Sequence, residues 1–149
     1  MLYIEAIEEF NTEDTDLPYL FLGGGISSCP NWQKTIKGRL SDEDIALVNP
    51  RRDNFPIDDP TASEEQIKWE HDALRACDAI LFWFPRETLC PITLYELGAW
   101  TMTGKSLFVG TDPEYKRRLD VIIQTKLERP DIEVVDNLDD LVEQVNWWI

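Results

Sequence analysis

Apolar and polar positions fall into alternating blocks along this chain, and the blocks predict strands and helices in turn. Tyr19–Gly24 (YLFLGG) is a short apolar run ending in glycines, the pattern of a buried strand that enters a turn. A helical mixture follows over Asn31–Leu40, then a second strand over Asp44–Pro50 (DIALVNP) and a loop at Pro56–Pro60. Ser63–Cys77 repeats Ile67, Leu74 and Cys77 near helical spacing. Ser63 there predicts a cap, with Gln66 three residues on as in a capping box. Ala79–Phe84 (AILFWF) is apolar at every position, as central strands of parallel sheets are. A short helix over Thr93–Thr103, a strand over Ser106–Gly110 and a helix over Pro113–Leu127 come next. A strand at Ile132–Val135 precedes Asn137–Trp148, where Leu138, Leu141, Val142 and Val145 share one helical face.

Strands alternating with helices predict an α/β fold with a parallel sheet between two helix layers. The pattern suits a flavodoxin-like (Rossmann-like) five-stranded order, 2-1-3-4-5, with Leu2–Ile7 available as an extra N-terminal edge strand. The length of 149 residues fits a single domain spanning the whole chain. In open α/β sheets ligands bind beyond the carboxyl ends of the strands, where strand order reverses. That directs attention to Gly23–Gln33 and Pro85–Glu96.

Composition narrows the partners. A formal charge of −15 opposes binding to a nucleic-acid backbone or an anionic membrane surface, both of which need clustered cations. Apolar runs such as Ala79–Pro85 fall far short of the roughly 20 residues of a membrane span. The acidic start, Met1 to Phe10, lacks the basic region of a signal peptide. Cys29, Cys77 and Cys90 form no metal-ligand pattern with the single His71, and an odd, widely spaced set of cysteines fits a reducing compartment. The expectation is a cytoplasmic protein without a bound metal.

Two features carry candidate chemistry. Gly23, Gly24 and Gly25 follow the first strand, where glycines make a tight turn or let backbone N–H groups approach a ligand. Neither a dinucleotide fingerprint nor a phosphate-binding P-loop is present. Glu96 lies near the start of the helix after the central strand. The helix dipole there predicts a carboxylate that stays ionised at neutral pH, either complementing the dipole alone or poised to attack a sugar anomeric carbon.

The segments FLGGGIS, CPNWQ, LVNPRR, EQIKWE, ILFWFPRET and CPITLYELG, in that order, resemble the nucleoside 2-deoxyribosyltransferase-like family over roughly Tyr19 to Asp120. The resemblance implies a flavodoxin-like subunit, often oligomeric. It implies cleavage or exchange of the N-glycosidic bond of deoxyribonucleosides through a covalent glycosyl-enzyme. Glu96, in its Glu-Leu-Gly setting, matches the family's nucleophile, Gly23–Gly25 the turn beneath the sugar, and Glu70 a second carboxylate. Transferases of the family's classical branch carry an aspartate six residues before the nucleophile; Cys90 stands there instead, so either Glu87 or a substrate group replaces it or the reaction differs.

The resulting expectation is a glycosyltransferase or N-glycoside hydrolase that moves the sugar to another nucleobase or to water. Glu96 attacks C1′, Glu70 or Glu87 delivers the proton, and no metal or organic cofactor is required. Phe21 and Trp32 are positioned to stack on a base or to fill the core. Asn49 and Arg51 complete the expected substrate contacts, and Arg51 with Arg52 suits a 5′-phosphate. A nucleotide N-glycosidase that requires that phosphate is therefore the alternative, together with a non-catalytic nucleotide-binding member of the family. The expected partners are a small nucleoside or nucleotide and further copies of the chain, the aromatic terminus Asn146–Ile149 being suited to an interface.

Overall fold

A computed structural model describes residues 1–149. Its strands are β1 (Leu2–Glu5), β2 (Tyr19–Gly24), β3 (Ala46–Asn49), β4 (Ala79–Phe84), β5 (Ser106–Thr111) and β6 (Val134–Val135). The helices are α1 (Trp32–Arg39), α2 (Ala62–Ala76), α3 (Pro91–Thr101), α4 (Arg118–Glu128) and α5 (Leu138–Trp148). All strand pairs are parallel, in the order β1-β3-β2-β4-β5-β6. This is the anticipated 2-1-3-4-5 order with Leu2–Glu5 as a sixth strand at the edge.

β4 is buried at all six positions because a helix layer covers each face of the sheet. Ile80, Phe82 and Phe84 point into one core with Ala73 and Leu74 of α2, Leu97 of α3 and Val121 of α4. Ala79, Leu81 and Trp83 point into the other with Ile36 of α1 and Leu141, Val142 and Val145 of α5. Each large apolar side chain withdrawn from water in this way contributes about 1.5–3 kcal/mol. At the carboxyl terminus, Trp148 packs edge-on against Phe108 of β5 at 5.7 Å, while Trp147 stays 85% exposed. No helix is long and apolar enough to cross a membrane.

Three helix starts differ from the sequence pattern. α4 begins at Arg118, not at Pro113, because Asp112 accepts from the Glu114 and Tyr115 N–H groups and holds the segment before the helix in turns. α2 begins at Ala62 with Thr61 as its cap residue, and Thr61 is itself held by Asp59. Ser63 thus lies inside the helix, and Gln66 turns inward rather than closing a capping box. α3 begins at Pro91, two residues early, because proline at the first helical position needs no N–H partner. Cys90, in the left-handed region at φ 48°, makes the turn into it.

Candidate active site

A cavity of about 950 Å³ opens between α2 and α3 over the carboxyl ends of β2 and β4. Each helix presents one stripe to it at helical spacing: Gln66, Glu70 and Leu74 from α2, and Ile92, Glu96 and Ala99 from α3. Phe21 and the turn Gly23–Gly25 form its floor. The helices converge at one end, where Trp100 stacks under Lys105 at 4.6 Å and Arg75 at 5.7 Å. There the Lys105 ammonium donates to the last carbonyls of α2, those of Leu74, Arg75 and Cys77.

The glycine turn is compressed from below. A Cβ on Gly24 would lie 2.4 Å from the Trp83 carbonyl oxygen and 2.6 Å from the Trp32 ring. One on Gly25 would lie 2.6 Å from Pro85. The glycines line the cavity as expected, but the space their missing side chains leave belongs to the protein, not to a ligand. Trp32 Nε1 donates to the Gly25 carbonyl at 2.8 Å, and Gln33 Nε2 to the same oxygen at 3.4 Å. The opposite loop is fixed as well. Tyr115 donates to the Leu89 carbonyl at 2.8 Å and Arg86 pairs with Asp112.

Glu70 and Glu96 meet in this cavity, both half-buried. Burial pushes the Glu96 carboxyl up to about 7, and the neighbouring Glu70 charge adds to the rise. Burial also raises Glu70, against a hydrogen bond from Gln66 Nε2 at 2.7 Å that favours its charged form. The expectation of a dipole-stabilised, fully ionised Glu96 is therefore overturned. With α3 starting at Pro91, Glu96 lies in its second turn, where the dipole has faded and desolvation dominates. Cys90, which also lines the cavity, cannot stand in for an ionised aspartate: burial foremost, then Cys29, pushes its thiol up to about 12.

Four of the other expected residues lie outside the cavity. Trp32 is 3% exposed and braces the glycine turn from beneath, so it does not stack on a base. Asn49 donates to the Tyr3 hydroxyl at 2.8 Å and accepts from the Arg51 backbone at 3.0 Å, joining the end of β3 to β1. Arg51 spends its guanidinium on the carbonyls of Cys29 and Pro30 and on Gln33 Oε1, at 3.1–3.3 Å. Glu87 is exposed on the Cys29 side of its loop. Phe21 does line the cavity, although it is 1% exposed and mainly a core residue.

The sequence reading missed Gln66, Thr93, Tyr95 and Trp100, all of which line the cavity. The available signal was the mixed polar and apolar stripe of Ser63, Gln66, Glu70 and Leu74, which a purely apolar search for the buried face of α2 passes over.

A sequence model of the family described as nucleoside 2-deoxyribosyltransferase like matches residues 18–115. The matched span contains β2 to β5, both cavity loops and both carboxylates. No curated protein matches the chain.

Proposed function

Because the chain belongs to the nucleoside 2-deoxyribosyltransferase-like family, we propose that it breaks the N-glycosidic bond of (deoxy)ribonucleosides by way of a covalent glycosyl-enzyme. The observation that carries this reading is the half-buried pair Glu70 and Glu96 in one cavity, each with its carboxyl raised. Two interacting carboxyls that cannot both ionise freely share a proton near neutrality, and this supplies a nucleophile and an acid together.

In this scheme the Glu96 carboxylate attacks C1′ of the sugar. The bond from C1′ to the base nitrogen breaks, its electron pair leaves with the base, and the proton on Glu70 passes to the base. A second base or a water molecule then attacks C1′, displaces Glu96 and returns a proton to Glu70. The Gln66 hydrogen bond supports the charged form of Glu70, so this scheme has a sugar hydroxyl donate to Glu96 to stabilise its charge and leave the shared proton on Glu70.

The phosphate-dependent alternative loses one of its two expected anchors, since Arg51 is engaged within the protein, and keeps Arg52, which lies over the cavity-lining Phe55 with its Nη1 unpaired. The raised Glu96 carboxyl favours catalysis over a non-catalytic binding module, because perturbed carboxyls cluster at sites that move protons.

The test is incubation with a panel of nucleosides and their monophosphates, with and without an acceptor base, read by mass spectrometry. Base release is expected, together with a glycosyl adduct on the peptide containing Glu96. Comparison of deoxycytidine with its monophosphate separates the two substrate classes. Normal turnover by Glu96→Gln overturns the covalent mechanism.

A further inference from the structure

Gln66 stands out among the lining residues because half of its amide is unaccounted for. It is 9% exposed and lies one helical turn from Glu70 on the cavity stripe of α2. Its Nε2 donates to the Pro50 carbonyl at 2.7 Å and to Glu70 Oε1 at 2.7 Å, which uses both amide protons. The Pro50 carbonyl can only accept, so the amide cannot be turned the other way without setting oxygen against oxygen there. Its Oε1 is consequently fixed in orientation, buried, and without a hydrogen-bond partner. A buried acceptor of fixed orientation calls for a donor, and on a cavity wall that donor is a water molecule or a group of the ligand that displaces it.

We propose that Gln66 is a specificity-determining residue whose Oε1 accepts a hydrogen bond from an N–H or O–H group of the substrate. This rests on the glycosidic reading of the cavity. The donor is either an amino group of the nucleobase or a hydroxyl of the sugar; the shared chemistry is a donor presented to a fixed acceptor. A substrate that places a carbonyl oxygen at that point meets lone pairs and is rejected. One that places nothing there leaves the oxygen unpaired. The same amide holds Glu70, so donor recognition and placement of the proton-delivering carboxyl are linked through a single side chain.

The experiment compares kcat/KM for matched substrates on wild type and on two variants. The base arm sets deoxyadenosine against the purine deoxyriboside that lacks the amino group. The sugar arm sets deoxyadenosine against its 3′-deoxy and 5′-deoxy analogues. Dividing each wild-type ratio by the same ratio in Gln66→Leu cancels differences in leaving-group chemistry. One donor is expected to show a double ratio on the order of 10- to 100-fold, and the arm in which it appears identifies the source. Gln66→Lys keeps N–H donors for Pro50 and Glu70 but offers no acceptor, so it should lose the same discrimination, and it serves if the leucine variant fails to fold. Double ratios near one for every donor in both variants overturn the assignment while leaving the glycosidic reading intact. If wild type cleaves none of the panel, that reading falls, and the same ratios are taken from dissociation constants by calorimetry. Donor-dependent affinity lost in Gln66→Lys then supports the acceptor role, and donor-independent affinity, or no binding at all, overturns it.

Discussion

The two faces of the sheet solve the same packing problem differently. On one face α1 and α5 touch each other, Arg39 pairs with Asp139 across them, and Leu141 of α5 rests on the bare backbone of Gly110. A Cβ at Gly110 would lie 2.7 Å from Leu141 Cδ1, so α5 sits as low on β5 as a helix can. On the other face α2 and α3 are held apart. Trp69 draws α2 toward the amino-terminal segment, packing against Phe10 and Phe21 and donating to the Glu8 carbonyl at 2.8 Å. α3 is seated through Thr93 and Leu97, leaving Ile92, Tyr95 and Met102 exposed. Both faces bury an apolar core and contribute stability. The parted face gives up contact between its helices and gains a cavity in which two carboxyls are withdrawn from water without being sealed.

If that division is right, changes on the two faces have separable consequences. The largest effect belongs to Glu96→Gln, which keeps shape but cannot bear the attacking charge. Steady-state assays should show kcat reduced on the order of 10³-fold or more, with circular dichroism unchanged. Next comes Leu141→Ala on the filled face. Removing a fully buried leucine should lower unfolding free energy in urea by about 2–5 kcal/mol, with kcat/KM of the folded protein preserved. Loss of activity in step with stability would erase the distinction between the faces.

The third effect ties stability to the parted face. The Glu96 carboxyl stands at about 7 in the folded protein against an ordinary value of 4.5. The folded state therefore binds this proton more tightly than the unfolded chain. Wild-type stability should decline as pH rises through that interval, and the decline is complete above about pH 7. Glutamine has nothing to titrate. Glu96→Gln should thus be more stable than wild type at pH 8, by about 1–3 kcal/mol, and equal to it near pH 4, as thermal melts at the two pH values would show. A variant less stable than wild type at pH 8 would mean that Glu96 is a stabilising ion after all. The smallest effect is that of Arg51→Met, about 1–2 kcal/mol from lost charge-assisted bonds to the Cys29–Gln33 loop. Preference between nucleoside and monophosphate should stay as in wild type. A selective loss of monophosphate turnover would bring Arg51 back to the substrate.

Much of this architecture was legible in the chain itself. Ala79–Phe84 can only be a strand covered on both sides, and the alternation of such runs with helical segments forces parallel pairing through crossovers. The position of the cavity followed from that topology, and Glu70, Glu96 and Gly23–Gly25 all line it. What proximity to a strand end could not convey is direction. Trp32 opens α1, Asn49 ends β3, and Arg51 and Glu87 lie in loops, all at the right edge of the sheet, yet each turns away from the cavity. Carbonyls and rings from distant segments offered Trp32, Asn49 and Arg51 partners, and those partners are set by the three-dimensional path of the loops.

Protonation was decided in the same way. From the sequence Glu96 is a glutamate near a helix start, and local physics alone makes it an ordinary ion. Only the tertiary structure sets Glu70 beside it and withdraws both from water. Local periodicity determined the elements and their order because burial patterns repeat within a few residues. Desolvation and charge coupling depend on atoms brought together from α2 and α3, more than twenty positions apart, and no local pattern contains that information.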